Sequence, residues 1–572
     1  MGLEASLVSS YYYEGIYLGN VYRKVYPFGY VSDRLKDVFS DWTCHVPVGV
    51  FSGTGTGKNT FVEKVLIPDA KRKGKSVLLF SNRVALNRQT KKRLAKIFEL
   101  EYLVDRYTDE GLDELTDFGN LTVVSYQQLE AWINENSYKL GELKKKDFAY
   151  VVCDEAHYFT SDCSFNAFTD ISLDYIANHF LTSVRIYMTA TQEEIFPILR
   201  QKEKQLGIVY ESGWPLREFE WQIYEFERDF SYINAYAFDG IDDLVEVINH
   251  SDEKWAVFVD KIDIGKQLID KIGKGTLITA ESKKTENSSY STFRKIIDEE
   301  RFDEQVIVST AVLENGINIK DRHVKKIAIF CNDKVRFLQM LGRIRRVENC
   351  VLDVYIANTI REEVLKSYNC LSRVTKAIRN YYANVTDFYN QYIRNPEPRT
   401  NVRGSFTVKK DGTAHINSIF PVKTRYFDTA FWEAMKERYE AGEEYPVLKA
   451  KFGWLEKEFQ IDRKVGKRQM QEAKERLILL MEDYNGKQII KEKQLIFCEL
   501  FTGIYKAAYG RRNEDKTESQ VYGLNIIKKL LEKNDLPYTI DNSNRNFWLV
   551  QKTGGNVNED GSSLVGEIKL NT

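Results

Sequence analysis

Gly53-Thr54-Gly55-Thr56-Gly57-Lys58-Asn59-Thr60 follows the apolar run Val46-Pro47-Val48-Gly49-Val50-Phe51 and precedes Phe61-Val62-Glu63-Lys64-Val65-Leu66. The order is strand, glycine-rich turn, helix start. Such a turn aims successive backbone N–H groups and a helix N-terminus at one place, which makes an anion site. Lys58 adds a point charge suited to the outer phosphates of a nucleotide. The plain alternative is a tight turn with a surface lysine, and the rest of the chain argues against it.

The second signal is Val151-Val152-Cys153-Asp154-Glu155-Ala156-His157. An apolar strand delivers two adjacent carboxylates at its C-terminal end, the edge where a phosphate loop sits. Asp154 is expected to hold Mg²⁺, directly or through water, and Glu155 to orient and deprotonate an attacking water. His157 has no cysteine or second histidine at ligand spacing. It is expected to couple the nucleotide site to the domain, through Gln339 or through Thr189-Ala190-Thr191.

Around these motifs short apolar runs alternate with charged helical stretches. Strands are expected at Val46–Phe51, Val77–Phe80, Leu121–Val124, Ala149–Cys153 and Val184–Met188. They lack strict alternation, as strands buried on both faces do. The pattern restarts at Trp221-Gln222-Ile223-Tyr224 and continues through Trp255–Val259, Thr276–Thr279, Gln305–Val308, Ile327–Cys331 and Val351–Ile356. The chain is therefore read as α/β, with parallel-sheet domains at 45–220 and 221–362. A Tyr-rich extension (1–44) is expected to pack on the first. A helical connector (363–399), a helical and α+β accessory region (400–550) and a flexible tail (551–572) complete the reading. The end of the accessory region suits a winged-helix-like reader and equally a plain packing module.

The 572 residues exceed one core and carry 82 basic against 83 acidic side chains, so total charge does not announce a nucleic-acid partner. The seven cysteines form no CxxC pair, which points to a reducing compartment without structural zinc. With no signal peptide and no apolar run of about 18 residues, the expectation is a soluble cytoplasmic protein without a membrane partner.

Together the motifs resemble those of superfamily 2 helicases and translocases, of the DEAH-box type. The matching stretches are Gly53–Thr60, Asp154-Glu155-Ala156-His157, Thr189-Ala190-Thr191, Ser309–Asn318 and Gln339-Met340-Leu341-Gly342-Arg343-Ile344-Arg345-Arg346. The resemblance covers roughly residues 45–362. It implies two tandem RecA-like domains that clamp ATP and Mg²⁺. Gly53 through Thr60 would hold the phosphates. Lys58, Asp154, Glu155, Gln339, Arg343 and Arg346 would be catalytic, with His157, Thr189, Thr191 and Gly316 coupling. Nucleic-acid contacts would come from Asn82, Arg83, Ser125 and Gln127 in the first domain and Lys261, Thr279 and Thr310 in the second.

Two departures stand out. Asn59 follows Lys58 where the family places Thr or Ser as a magnesium ligand, so the metal falls to Asp154 with either Thr60 or Asn59. Arg345 stands where the family usually has glycine. No adenine-reading glutamine motif precedes the loop, so the base is expected to be held by stacking. The resemblance implies an ATP-dependent motor on a nucleic-acid strand, DNA favoured over RNA. A replication, repair or defence protein would engage residues 400–550. A duplex translocase without strand separation and a non-hydrolysing nucleotide-gated scaffold remain the alternatives.

Overall fold

The computed structural model describes residues 9–13, 16–82, 91, 94–95, 115–206, 220–310, 312, 318–345, 350–394, 400, 402–409, 412–509, 520–534 and 536–553. The first sheet holds β1 (Ser9–Tyr13), β2 (Ile16–Tyr26), β3 (Val48–Phe51), β4 (Ser76–Ser81), β5 (Asp117–Phe118), β6 (Leu121–Ser125), β7 (Phe148–Cys153), β8 (Val184–Thr189) and β9 (Trp221–Phe226). Its order is β1-β2-β9-β3-β8-β7-β4-β6-β5. The strands from β2 to β6 are parallel, and antiparallel β1 and β5 close the two edges. Strands β3, β6, β7 and β8 are buried along their whole length. Helices cover both faces of such a sheet, which is why these runs show no alternation.

The second sheet is wholly parallel. It comprises β10 (Ile233–Phe238), β11 (Lys254–Val259), β12 (Thr276–Ile278), β13 (Val306–Ser309), β14 (Val324–Phe330) and β15 (Leu352–Ala357), ordered β10-β15-β14-β11-β13-β12. Both lobes are RecA-like. The loops after β3, β8 and β9 and the segment Leu338–Arg345 beyond β14 line a shared cleft.

Two expectations change. Trp221–Phe226 does not open the second unit. It pairs with β2 and β3 in the first sheet, and Trp221 is buried there against Tyr187 and Phe196. The Tyr-rich start is likewise part of that sheet through β2, so the first lobe begins well before residue 45.

Residues beyond the second lobe do not simply follow it. The helix Arg361–Ala383 puts Val374, Ala377 and Ile378 into the first lobe's core, together with Phe388, Tyr392 and Val402. The hairpin β16 (Phe406–Val408) and β17 (Ala414–Ile416) docks on the same lobe. There Asn417 Nδ2 donates to Asn166 O (2.9 Å) and Thr169 Oγ1 (2.8 Å), and Ser418 N to Asp170 Oδ2 (2.7 Å). The chain then returns, and the helix Pro446–Trp454 buries Leu448 and Phe452 in the second lobe. This strap therefore joins both cores.

The C-terminal module runs helix Lys467–Tyr484, β18 (Gln488–Ile490), helix Lys491–Tyr509, helix Leu524–Lys533, β19 (Tyr538–Asp541) and β20 (Phe547–Lys552). Its sheet order is β18-β20-β19 around its own core. Among the described residues no helix is long and apolar enough to cross a membrane.

Candidate active site

The phosphate loop leaves β3 and re-enters a helix at Lys58. Gly55 (φ 80°) and Gly57 (φ 77°) take the left-handed conformations the turn requires. Thr56 Oγ1 donates to Ser52 Oγ (2.9 Å) and Gly53 O (2.8 Å), closing the loop on itself. Lys58 Nζ donates to Ser52 O (2.9 Å) and Gly53 O (3.0 Å). Burial pushes the Lys58 pKa down. Glu155 and Asp154 oppose that, while Arg345 and Arg343 add to it. Groups from both lobes thus act on one ammonium.

The acids leave β7 between two neighbouring strands, Asp154 N donating to Phe80 O (2.9 Å) and Ala156 N to Met188 O (2.9 Å). Glu155 between them sits at φ 50°, a left-handed conformation that costs a non-glycine residue about 1–3 kcal/mol. Burial alone would raise the Glu155 pKa, but His157, Lys58, Arg343 and Arg345 outweigh it and hold the carboxyl below its ordinary range. An ionised carboxylate is what a proton acceptor needs. Asp154 acts on Lys58 beside the loop, and with the Asn59 carboxamide or the Thr60 hydroxyl it would offer oxygen donors of the kind Mg²⁺ takes.

Of the two partners expected for His157, Thr189 is in reach. Its Oγ1 lies 3.2 Å from His157 Nδ1, which is 3.4 Å from Glu155 Oε2. Burial lowers the imidazole pKa against the pull of Glu155. Thr189 Oγ1 also accepts from Thr191 N (3.1 Å), which ties the acids to the segment after β8. Gln339 serves a different group, its Oε1 accepting from Arg343 Nη2 at 2.6 Å.

The second lobe meets the loop through the helix Lys334–Leu341, capped by Asp333 Oδ1 on Arg336 N (2.9 Å). A lone bridge pairs Ile344 with Ile319. Ile319 N donates to Arg343 O (2.8 Å), and Arg345 N donates to Ile319 O (2.9 Å). Ile344 is buried in the lobe's core, and Arg343 and Arg345 flank it on the side facing Glu155 and Lys58. Gly342 touches the loop directly. A Cβ there would lie 2.4 Å from Thr54 Oγ1 and 2.9 Å from Thr54 Cβ. Arg345 Nη1 is 3.1 Å from where a Cβ on Gly55 would stand.

These surfaces enclose a cleft of about 470 Å³, lined by Gly53–Thr56, Gly342, Ile344 and Arg345. Phe28 and Tyr30, 50% and 62% exposed, line its other wall beside Arg228, Phe230 and Tyr232. Val31 N donates to Thr56 O (2.9 Å), fixing this aromatic segment to the loop. Sequence reasoning named no stacking residue and gave Arg345 no contact. The Tyr-rich start was the available signal for the first, and the arginine in a glycine position for the second.

Elsewhere, Asn82 is buried just past β4. Gln127 is half-buried in the helix after β6, and Lys261, exposed, follows β11. Thr279 and Thr310 follow β12 and β13. All five follow the C-terminal ends of parallel strands. Ser125 is fully buried and caps the helix Tyr126–Asn134, its Oγ accepting from Gln128 N (3.1 Å) while Gln128 Oε1 accepts from Ser125 N (2.9 Å). Its expected backbone-contacting hydroxyl is thus committed to a capping box. Arg83, Gly316 and Arg346 lie outside the described residues.

An ion pair joins the lobes beside the cleft. Lys334 Nζ of the second lobe reaches Glu193 Oε1 of the first at 2.9 Å, and within the first lobe Arg228 Nη2 donates to Ala190 O at 2.6 Å. Deeper, Lys423 of the strap lies 2.8 Å from Asp428 Oδ1, 3.5 Å from Asp333 Oδ2 and 3.9 Å from Glu194 Oε2. One buried lysine thus meets carboxylates from both lobes and from its own segment. Burial, joined by Asp333, Asp428 and Glu193, pushes the Glu194 pKa up to about 8 against the pull of Lys423.

The family described as type III restriction enzyme, res subunit, matches residues 45–194, the span from the phosphate loop past Thr191. No curated protein matches the chain. Among solved structures, Dbp5 of S. cerevisiae bound to RNA and ADP BeF3 is 14% identical, with 60% of this chain and 83% of that chain covered and a TM-score of 0.38. The DUF1998 helicase MrfA bound to DNA is 13% identical, covering 63% of this chain and 51% of its own, with a TM-score of 0.42. The helicase Lhr of Mycobacterium smegmatis bound to ssDNA and AMP-PNP is 12% identical, covering 62% and 48%, with a TM-score of 0.39. The chain is thus similar to the res-subunit family over residues 45–194 and, at low identity, to these three solved structures.

Proposed function

We propose that the chain hydrolyses ATP in the interlobe cleft and uses the lobes' opening and closing to move along a nucleic-acid strand, with DNA the favoured track. The supporting observation is the convergence of Lys58 and Glu155 from one lobe with Arg343 from the other. Phe28 and Tyr30 offer the base a stacking wall without reading its edge. Lys58 and the loop N–H groups hold the phosphates, and Glu155 takes the proton of the attacking water. Arg343, oriented by Gln339, stabilises charge that develops on the leaving and transferring groups. Mg²⁺ held by Asp154 with Asn59 or Thr60 supplies further charge neutralisation when bound.

Closure is transmitted along His157, Thr189 and the segment through Glu193, which pairs with Lys334 on the arginine-bearing helix. A strand lying across both sets of strand ends, near Asn82 and Gln127 on one lobe and Lys261, Thr279 and Thr310 on the other, would be gripped in alternation. The C-terminal module has the helix–strand–helix–helix–strand–strand order of a winged helix and is assigned to the duplex or to a partner protein. The test is phosphate release with single- and double-stranded DNA and RNA, for wild type and Glu155→Gln. The variant is expected to keep nucleotide binding and lose at least about 10²-fold in turnover. Equal release from both proteins would defeat the reading, and displacement of a labelled strand separates a helicase from a translocase.

A further inference from the structure

Arg345 has a position and an environment that the mechanism above leaves unused. Ile344 turns into the second lobe's core, and the bridge to Ile319 holds the backbone on either side. The guanidinium beyond it crosses to the first lobe and comes to rest over Gly55. There it lines the same cleft as the loop from Gly53 to Thr56. Its Nη1 is buried and has no hydrogen-bond partner among the described residues. Arg343 differs, since its Nη2 is engaged by Gln339 inside its own lobe.

A buried guanidinium nitrogen without a hydrogen-bond partner is costly, because it loses hydration and no acceptor replaces the water. Glu155, and after it Glu300, acts on the arginine, while the arginine acts in turn on the Lys58 ammonium, so two cations from opposite lobes face one glycine-rich loop. Two cations facing one such loop suit a multiply charged anion. A guanidinium fork pairs two phosphate oxygens at once, which a lysine cannot do.

The loop itself supplies the second half of the argument. Asn59 offers a carboxamide directly after Lys58, and the hydroxyl of Thr60 stands one residue later, so the loop's own metal ligation is altered. A fixed cation facing this loop from the opposite lobe supplies, on the same phosphates, charge that a divalent ion supplies elsewhere.

We propose that Arg345 is a further catalytic residue, a bidentate ligand of the outer phosphates of a nucleoside triphosphate, and that it makes nucleotide binding less dependent on a divalent cation. This rests on the ATP site proposed above. It assigns a contact to a side chain at a position where the resembling family usually has none.

The test is equilibrium binding of fluorescent ATP and AMP analogues to the full chain, each with MgCl2 and with EDTA. Wild type, Lys58→Ala, Arg345→Ala, Arg345→Gln and Arg345→Gly are compared, with thermal melting as the fold control. Wild type is expected to retain ATP binding in EDTA. The Arg345 variants should bind ATP about 10–100-fold more weakly, the range for loss of charge-assisted bonds. The loss should be larger in EDTA, with AMP binding unchanged. A merely structural arginine would lower ATP and AMP binding alike and leave the EDTA effect as in wild type, and that result overturns the proposal. If Lys58→Ala abolishes ATP binding while Arg345→Gln and Arg345→Gly match wild type in both buffers, this inference fails and the ATP site stands. If wild type binds no nucleotide at all, the site reading itself fails.

Discussion

Gly342→Ala isolates the contact between the lobes. The glycine sits at φ −67° and ψ −8°, a right-handed conformation that alanine adopts freely, so the second lobe should fold as before or gain slightly. The added methyl carbon would instead strike the first lobe, 2.4 Å from Thr54 Oγ1, 2.7 Å from Thr54 Cγ2 and 2.9 Å from Thr54 Cβ. Ordinary contact begins near 3.4 Å, so the lobes must part by about 1 Å at this point. That shift withdraws Arg343 and Arg345 from Lys58 and Glu155 together. A 1 Å misplacement of catalytic groups costs about 10²-fold in rate. Nucleic-acid-stimulated turnover should fall by about that factor, with the melting temperature unchanged. Adding Thr54→Gly removes all three clashing atoms, so the double variant should recover relative to Gly342→Ala when each is referred to its own Thr54 background. Turnover within twofold of wild type for Gly342→Ala, with normal melting, would refute the claim that this contact belongs to the hydrolysing state.

Other outcomes test the surrounding structure. Lys423→Met leaves Asp428, Asp333 and Glu194 without their buried cation and should destabilise the protein by about 3–5 kcal/mol in denaturant titration, a cost that Met at an exposed lysine would not incur. Glu194 has its folded pKa raised from 4.5 to about 8, so the stability it contributes is complete below about 4.5 and is lost as pH rises through about 8. A distance probe across the lobes should therefore report opening between pH 7 and pH 9, and Glu194→Gln should flatten the profile. An unchanged profile in the variant would assign the opening to another group. Tyr30→Ala should weaken ATP and ADP binding equally, by about 1 kcal/mol for a lost aromatic face, while leaving turnover at saturating ATP within twofold. A fall in saturating turnover alone would place the ring elsewhere in the cycle.

Much of the first lobe was legible because its signals are local. Phosphate-loop glycines and paired acids at a strand end are set by backbone geometry within a few residues. Membership of a sheet is not local, and Trp221–Phe226 reads as a strand without stating which sheet it completes. Residues 361–383 show a helical apolar stripe, yet nothing in the stripe reveals that it covers the lobe before rather than the lobe just finished. Ser125 carries a second local signal: the Ser-x-x-Gln spacing to Gln128 is a capping signature, and the hydroxyl accepts the cap bond. Arg345 was visible as a departure, but its direction depends on Ile344 seeking the core and on a bridge from Ile319, which lies far away in sequence. Strand β18, three residues long, is too short to carry a pattern.

The weaving of the strap between the cores bears on how the protein is made. During synthesis the first sheet has all its strands once β9 emerges, yet one face of its core still lacks Val374, Ile378, Phe406, Ile416 and Phe420. The ribosome must deliver the whole second lobe before those side chains arrive. A nascent first lobe therefore waits with apolar surface uncovered, the circumstance in which chains aggregate or recruit chaperones. A fragment ended at residue 362, the apparent boundary of the two-lobed motor, would keep that surface open permanently and should be insoluble where the full chain is not.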